Sequence, residues 1–123
     1  MAVRLYTDVT PAGMRGAKIF KWTGLLNTDT GTPLDASVYS DRSFQAIGTF
    51  GAGGTVTMEG SNLPAGGTMS SLHQVDGTTA LTLATGAASL KTNAEATMWI
   101  RPNVTAGDGT TSLDVYAFIN TVK

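Results

Sequence analysis

The stretch of sequence that decides the fold lies near the end of the chain and runs Leu113, Asp114, Val115, Tyr116, Ala117, Phe118, Ile119, Asn120. Its odd-numbered residues are all aliphatic, whereas its even-numbered residues are polar or aromatic. Because successive side chains of a β-strand point to opposite faces, this period of two predicts a strand whose aliphatic side lies against a core. It is the best period-2 run in the chain.

Weaker alternation predicts further short strands, separated by turns rich in Gly, Asp and Asn. They cover residues 17–24, 43–50, 55–60, 69–75, 80–84 and 97–101. The glycine-rich residues 51–54 join two of these runs, 43–50 and 55–60, and we interpret that pair as a β-hairpin. Pro102 is expected to close the strand before it, because proline cannot donate a hydrogen bond to a central ladder.

Helical periodicity is weak throughout the sequence. Residues 84–96 are the only helix candidate, and Gly86 and Asn93 weaken it. About seven or eight short strands at this spacing predict an all-β fold, a single antiparallel sandwich or barrel. We expect the strand domain to span residues 17–123 and residues 1–16 to form an N-terminal arm. Its core is expected to contain Phe44, Phe50, Val56, Leu81, Leu83, Ile100, Leu113, Val115 and Ile119.

Composition narrows the classes of function. Of the 123 residues only 14% are charged and the net charge is −1, so we predict no nucleic-acid partner and no membrane partner. The absence of Cys excludes disulfides, zinc–thiolate sites and a cysteine nucleophile. Neither a signal peptide nor an apolar run of the length that a membrane helix needs is apparent. We therefore expect a soluble protein that is made in the cytosol.

The residues that could carry chemistry are few and scattered. Residues 29–31 spell the Asp-Thr-Gly triplet of aspartic proteases, but Asn27 and Thr28 separate it from the apolar residues before it, which favours an ordinary turn. His73 is the only histidine, and no EF-hand spacing of carboxylates is present. We predict no catalytic residue, no cofactor site and no metal site, and expect that the protein is not an enzyme.

Two segments are candidates for contact with a partner. The N-terminal arm is the most basic part of the chain and carries apolar side chains that a solvated tail would not need. It is either a frayed terminus or an arm that orders on a neighbouring subunit. The second segment is the polar loop 27–33. The candidate contact residues are Arg4, Leu5, Tyr6 and Met14 in the arm and Asn27, Thr28, Asp29 and Thr30 in the loop.

Two longer stretches carry a resemblance to a known class of protein. One is Asp-Arg-Ser-Phe-Gln-Ala-Ile-Gly-Thr-Phe-Gly at 41–51 with Thr-Val-Thr-Met-Glu-Gly-Ser-Asn at 55–62, and the other is Trp-Ile-Arg-Pro at 99–102 with residues 105–115. Together they resemble small virion proteins of tailed bacteriophages that decorate or cement the head shell, over roughly residues 17–120. Met69 departs from this pattern, which has a Trp after the Gly-Ser-Asn turn.

The resemblance implies a jelly-roll-like β-sandwich that forms a homo-oligomer, either dimer or trimer, with the major capsid protein as partner. It also implies a place on the capsid surface of the virion, after synthesis in the cytoplasm of the bacterial host, and no enzymatic activity. One alternative is a tail or head–tail accessory structural protein, which copy number would distinguish. Another is a carbohydrate-binding β-sandwich, in which Trp22, Trp99 and Tyr116 would stack on sugar rings.

Overall fold

The computed structural model describes residues 1–65 and 67–121, which form twelve strands and a short 3₁₀ turn. The elements are β1 (Val3–Arg4), β2 (Tyr6–Asp8), β3 (Ala17–Leu26), β4 (Thr30–Gly31), β5 (Leu34–Asp35), β6 (Asp41–Thr49), β7 (Thr55–Ser61), β8 (Ser70–Ser71), β9 (Thr82–Leu83), the 3₁₀ turn Gly86–Ser89, β10 (Leu90–Thr92), β11 (Trp99–Ala106) and β12 (Ser112–Asn120). Of these strands, β3, β6, β7, β11 and β12 have seven residues or more. The others have two or three, so the predicted seven or eight strands undercount the short pieces at the sheet edges.

The strands form two sheets that pack face to face. The seven-stranded sheet has the order β1-β4-β11-β7-β8, with β5 also beside β11 and β9 also beside β7. The five-stranded sheet has the order β10-β6-β12-β3-β2. Among the described strands, β1 and β4 pair in parallel and every other pair is antiparallel. The predicted all-β sandwich is confirmed.

The core lies between the two sheets and is built from their alternating residues. The aliphatic side of β12 occupies its centre, since Leu113, Val115, Ala117 and Ile119 are all 0% exposed. Burying a side chain of this size contributes about 1.5–3 kcal/mol relative to leaving it in water. All nine predicted core residues are buried, so the predicted core is confirmed.

The predicted hairpin of residues 43–50 and 55–60 is wrong. The five-stranded sheet holds β6 between β10 and β12, and the seven-stranded sheet holds β7 beside β11, β8 and β9, so the two strands face each other across the core. The glycine-rich link between them is therefore an arch that changes sheets. Gly51 and Gly53 have positive φ angles of 73° and 65° there, a conformation that glycine adopts readily.

Pro102 does not close a strand, because it lies inside β11 opposite Met58 of β7. The Met58 amide donates to Leu81 and its carbonyl accepts from Leu72, so Met58 and Pro102 form a non-hydrogen-bonded pair. The Pro102 nitrogen consequently points to the other side of β11. On that side β5 pairs as far as Ile100 and β4 begins at Asn103, so the missing donor falls in the gap between these two strands.

The helix candidate at residues 84–96 is replaced by the 3₁₀ turn and β10. Gly86 has a φ of 73°, which lies outside the range of an α-helix. The following residues instead pair with β6, where Leu90 lies opposite Gln45. β10 thereby covers one edge of the five-stranded sheet.

The N-terminal residues, which the sequence sets apart as an arm, pair with both sheets of their own chain. β1 lies beside β4 in the seven-stranded sheet, and β2 lies beside β3 in the five-stranded sheet. The Tyr6 ring packs edge-on against Phe20 and Trp22, with ring centroids 5.5 and 6.1 Å apart. The predicted boundary at residue 16 therefore does not separate these strands from the sandwich. At the other end of the predicted domain, residues 122–123 lie outside the described residues.

Candidate contact surface

The structure brings the first residues of the chain against the predicted contact loop. The Arg4 Nε donates to Asp29 Oδ2 at 2.8 Å, and the Ala2 amide donates to Asp29 Oδ1 at 2.8 Å. The backbone continues the contact, since the amides of Thr30 and Thr32 donate to the carbonyls of Ala2 and Arg4. We call this surface, residues 1–5 with residues 27–30, the N-terminal edge.

Asp29 is the residue that holds the N-terminal edge together. Its side chain is only 4% exposed, and it also accepts from the Leu26 amide at 2.9 Å. Burial acts to raise the pKa of Asp29, but the hydrogen bonds from Leu26, Arg4 and Ala2 outweigh it and leave the pKa below its usual value. The carboxylate is therefore ionised at neutral pH and ties three backbone or side-chain donors to one turn.

The eight predicted contact residues differ in how far a partner could reach them. Asp29 and Thr30 are buried, at 3% and 7% exposed, and they stabilise the edge from within. Leu5 and Tyr6 are 77% and 36% exposed, so they are open to a partner. Thr28 is also exposed and has a φ of 71°, which is strained for a β-branched residue. Arg4 and Asn27 are half-buried.

Met14 does not join the N-terminal edge, although it was grouped with Arg4 and Leu5 in the sequence. It lies in the turn between β2 and β3, where its amide donates to Pro11, and it is 38% exposed. The carbonyl of the neighbouring Gly16 accepts a hydrogen bond from the amide of Thr121, which follows the last residue of β12. Leu26, next to the loop, pairs instead with the first residue of β12. Met14 and the loop are therefore at opposite ends of the five-stranded sheet.

The residues with potential for chemistry have structural partners. Both oxygens of Asp29 in the Asp-Thr-Gly triplet accept hydrogen bonds from the N-terminal edge. The His73 Nδ1 lies 2.5 Å from Glu95 Oε2, and Glu95 Oε1 accepts the His73 amide at 2.8 Å. Within residues 1–65 and 67–121, no three His, Cys, Asp or Glu side chains gather as a metal ion would require.

Arg42 is a buried charge that the sequence pattern did not reveal. It is 4% exposed, and its guanidinium donates to the carbonyls of Ala36 at 2.8 Å, Tyr39 at 3.1 Å and Thr97 at 2.5 Å. These bonds join β6 to the segments that precede β6 and β11. Arg42 follows the exposed Asp41 and therefore lies on the inward side of β6. This period of two was the signal in the sequence that could have revealed the burial of Arg42.

The outer face of the seven-stranded sheet is polar and internally hydrogen-bonded. The hydroxyls of Thr55 and Thr57 lie 3.1 and 3.2 Å from that of Thr105. Beside them the Glu59 carboxylate accepts from Arg101 at 2.9 Å and from Asn103 at 3.0 Å. We call this surface the polar face.

The outer face of the five-stranded sheet is different, because apolar side chains lie on it. Strand register places them together, with Phe118 opposite Ile19 and with Tyr116 and Leu90 on either side of Gln45. We call this surface the apolar face, and its apolar members are Ile19, Leu26, Ile47, Leu90, Tyr116 and Phe118. A shallow depression of about 190 Å³ lies among Ile19, Leu90, Tyr116 and Phe118. The alternation of residues 113–120 predicts that Tyr116 and Phe118 lie on the outer side of β12, but it carries no sign that this side belongs to a larger apolar surface.

The three aromatic residues proposed for sugar stacking have different environments. Trp22 is 0% exposed and its indole nitrogen donates to Thr32, so it belongs to the core and cannot stack on a ligand. Trp99 is half-buried at the polar face, where its indole nitrogen donates to Leu63 at 3.1 Å. The ring of Tyr116 lies beneath the Lys21 ammonium, 5.4 Å from its centroid.

Comparison of the chain with protein-family models, with curated proteins and with solved structures found no match. The described residues include no helix with the length and hydrophobicity that a membrane crossing needs. The fold and the surfaces therefore carry the functional argument.

Proposed function

We propose that this chain is a capsid decoration, or cement, protein of a tailed bacteriophage. It binds the outer surface of the major capsid shell and stabilises the head, and it has no catalytic step. It is made in the cytoplasm of the bacterial host and ends on the virion surface. The likeness of residues 41–62 and 99–115 to proteins of this class supports the proposal, as does a small sandwich with an exposed apolar edge.

The observation that carries the proposal is the N-terminal edge. Met1, Val3 and Leu5 are 93%, 63% and 77% exposed, and they lie on or beside the edge strand of the seven-stranded sheet. An edge strand presents unpaired backbone groups as well as side chains, so native proteins usually cover it. A shell subunit that covers this edge buries apolar surface and supplies hydrogen-bond partners at once.

Stabilisation of a shell follows from where such a protein binds. A packed genome presses outward on the shell, so the seams between capsomers are its weak points. A domain that contacts subunits on both sides of a seam gains effective concentration for the second contact once the first has formed. Because it binds the assembled shell better than free subunits, it shifts the equilibrium towards assembly. A standard contact would bury about 800 Å² per partner.

The test is co-sedimentation of the purified protein with empty and with DNA-filled heads, followed by electron microscopy of the pellet. We expect saturable binding at regular shell positions in hundreds of copies. Leu5→Lys places a charge on the N-terminal edge and is expected to weaken binding. Val75→Lys is the matched control, because Val75 is 78% exposed and lies near β10. β10 is at one edge of the five-stranded sheet, whereas β2, which follows Leu5, is at the other edge.

Point variants are preferable to deletion of residues 1–16. Deletion would remove β1 and β2, take the Tyr6 ring from Trp22 and leave the Asp29 carboxylate without Arg4. Wild-type protein that binds neither form of head overturns the proposal. Equal binding by the Leu5→Lys and Val75→Lys variants removes the N-terminal edge from it. A few copies confined to the tail would assign the chain to tail or head–tail accessory proteins instead.

Carbohydrate binding is the second candidate, and the polar face favours it. Trp99 lies on the same outer side of β11 as Arg101 and Asn103, next to Glu59 of β7. An aromatic ring beside charged and amide groups is the chemistry that binds sugars. A glycan array tests it: binding that Trp99→Ala abolishes supports this function, and an array without a hit dismisses it.

A further inference from the structure

Antiparallel sheets with one buried face normally turn polar side chains towards water on the other. The polar face follows that rule, but the apolar face does not. Leu90, Ile47 and Phe118 are 56%, 51% and 38% exposed there, although Ile47 and Phe118 each adjoin a buried residue of the same strand. Contiguous exposed apolar surface rimmed by polar residues marks an interaction site more often than not.

We propose that the apolar face binds the apolar face of a second copy of this chain, so that two five-stranded sheets pack together in a two-fold symmetric dimer. The inference does not depend on the proposed capsid function. It selects the dimer from the dimer or trimer expected from the sequence, and it assigns the surface that forms it.

The charges on the apolar face permit contact between identical copies. Its central rows carry Lys21 and Asp114, and the Lys21 Nζ lies 3.5 Å from Asp114 Oδ2. The Lys21 ammonium also covers the Tyr116 ring. These two charges compensate each other, and the further carboxylate on this side, Asp41, lies at the first residue of β6, so the centre of the face carries no net charge.

The size of the apolar face fits a weak dimer that dissociates in the micromolar range. Five strands at a spacing of about 4.8 Å are about 24 Å wide. The two long central strands, β6 and β12, have nine residues each, which at about 3.3 Å per residue gives a length of about 30 Å. Because β2 and β10 have only three residues each, the five strands cover about 540 Å² at these spacings, slightly below the roughly 600 Å² per partner at the small end of standard interfaces.

A second copy is the partner whose shape this structure supplies. Sheets of like twist pack face to face with their strands within about 30° of each other and about 10 Å apart. Two copies of one face share the same twist. A face-to-face contact of this kind is isologous and closes at two subunits.

The experiment is sedimentation equilibrium of the full chain from low to high micromolar concentration, with two variants. We expect wild-type protein to fit a monomer–dimer equilibrium. Ile47→Lys is expected to raise the dimer dissociation constant about tenfold or more, because it replaces an exposed apolar side chain by an ammonium that loses water when the two faces meet. Leu63→Lys is the matched control, since Leu63 is 49% exposed against 51% for Ile47 and lies beside the seven-stranded sheet.

Circular dichroism and urea unfolding check that each variant is folded, and Leu90→Lys replaces Ile47→Lys if the latter is not. A wild-type monomer at every concentration overturns the proposal, and so does a trimer. Equal dissociation constants for the Ile47 and Leu63 variants also overturn it. A monomer whose Ile47→Lys variant fails to bind heads overturns the dimer and assigns the apolar face to the capsid protein.

Discussion

The polar face and the apolar face belong to sheets whose inner sides are alike, yet they meet solvent in opposite ways. On the polar face Glu59 is 14% exposed and is held by Arg101 and Asn103. On the apolar face Ile47 and Leu90 are more than half exposed. Folding requires only that the inner sides be apolar, so the outer sides are free to differ. This difference is the ground on which we propose that the apolar face, and not the polar face, is covered by a second copy.

The largest expected effect on the free energy of unfolding comes from comparing the inner side of β12 with its side on the apolar face. Ile119→Ala is expected to lower the free energy of unfolding by about 2–5 kcal/mol, because it opens a cavity at a fully buried site. Phe118→Ala, one residue earlier and 38% exposed, is expected to cost less than about 1 kcal/mol. Urea unfolding at a concentration that favours the monomer measures both. Equal losses would show that Phe118 is part of the core and would break the comparison.

The next effect concerns the polar face. Glu59→Ala is expected to lower the free energy of unfolding by about 1–2 kcal/mol, since it leaves the partly buried donors of Arg101 and Asn103 without an acceptor. Glu59→Gln keeps an acceptor for Asn103 and is expected to lose less. The same urea experiment measures both variants. An Ala variant as stable as wild type would mean that the hydrogen bonds of Glu59 do not stabilise the monomer, and the contrast between the two faces would be lost.

A smaller effect on the free energy of unfolding is expected in the loop between β11 and β12, which connects the sheet of the polar face to the sheet of the apolar face. Hydrogen bonds from the Thr110 hydroxyl, and then from the Ala52 and Thr110 amides, lower the pKa of Asp108 to about 2. A folded pKa below the unfolded value of about 3.9 stabilises the protein above that pH, and the stability is lost as pH falls towards 2.

Urea unfolding between pH 7 and pH 2 tests this linkage. Asp108→Asn is expected to make the fall in stability between about pH 4 and pH 2 shallower than in wild type. Asp76, whose pKa is also lowered to about 2 by Thr79 and Thr78, supplies part of the remaining slope. An unchanged slope in the Asn variant would show that Asp108 contributes nothing to acid stability.

The smallest expected effect lies at the loop between β3 and β4, where the chain leaves the five-stranded sheet. Thr28 has a φ of 71°, which costs a non-glycine residue about 1–2 kcal/mol. Thr28→Gly removes that strain and is expected to raise the free energy of unfolding by about 0.5 kcal/mol after glycine's entropic cost. Thr23→Gly, at an exposed position within β3, is expected to lower it. Thermal unfolding of both variants decides the sign.

Alternation in the sequence predicted which side of β6, β7, β11 and β12 is buried, so their core residues were predicted correctly. The longest strand, β3, shows no such period, and its buried Trp22 and Leu25 were not among the predicted core residues. Alternation carries no information on which strand lies beside which. The arch after β6 was therefore mistaken for a hairpin, since glycines permit either turn. The missing donor of Pro102 was tolerated because its neighbours on that side, β4 and β5, are separate strands.

The candidate contact surface was predicted only in part, for a similar reason. An Asp before Gly in a polar loop indicates a turn, but the burial of Asp29 depends on Arg4, which is 25 residues away in sequence. The apolar face was visible in the sequence as Tyr116 and Phe118 on the outer side of β12. Its extent depended on Leu90, which joins it only because β10 pairs with β6.

The position of β12 has a consequence for synthesis of the chain. This last strand lies in the middle of the five-stranded sheet, between β3 and β6, and supplies the centre of the core. A nascent chain that ends before residue 112 therefore has two unpaired strand edges and an open core, however much of it has left the ribosome. Pairing over such long sequence separations is slow. Folding of the sandwich must accordingly wait until β12 has been made and has left the ribosome, and premature termination at any codon before β12 yields a product prone to aggregation rather than a smaller domain.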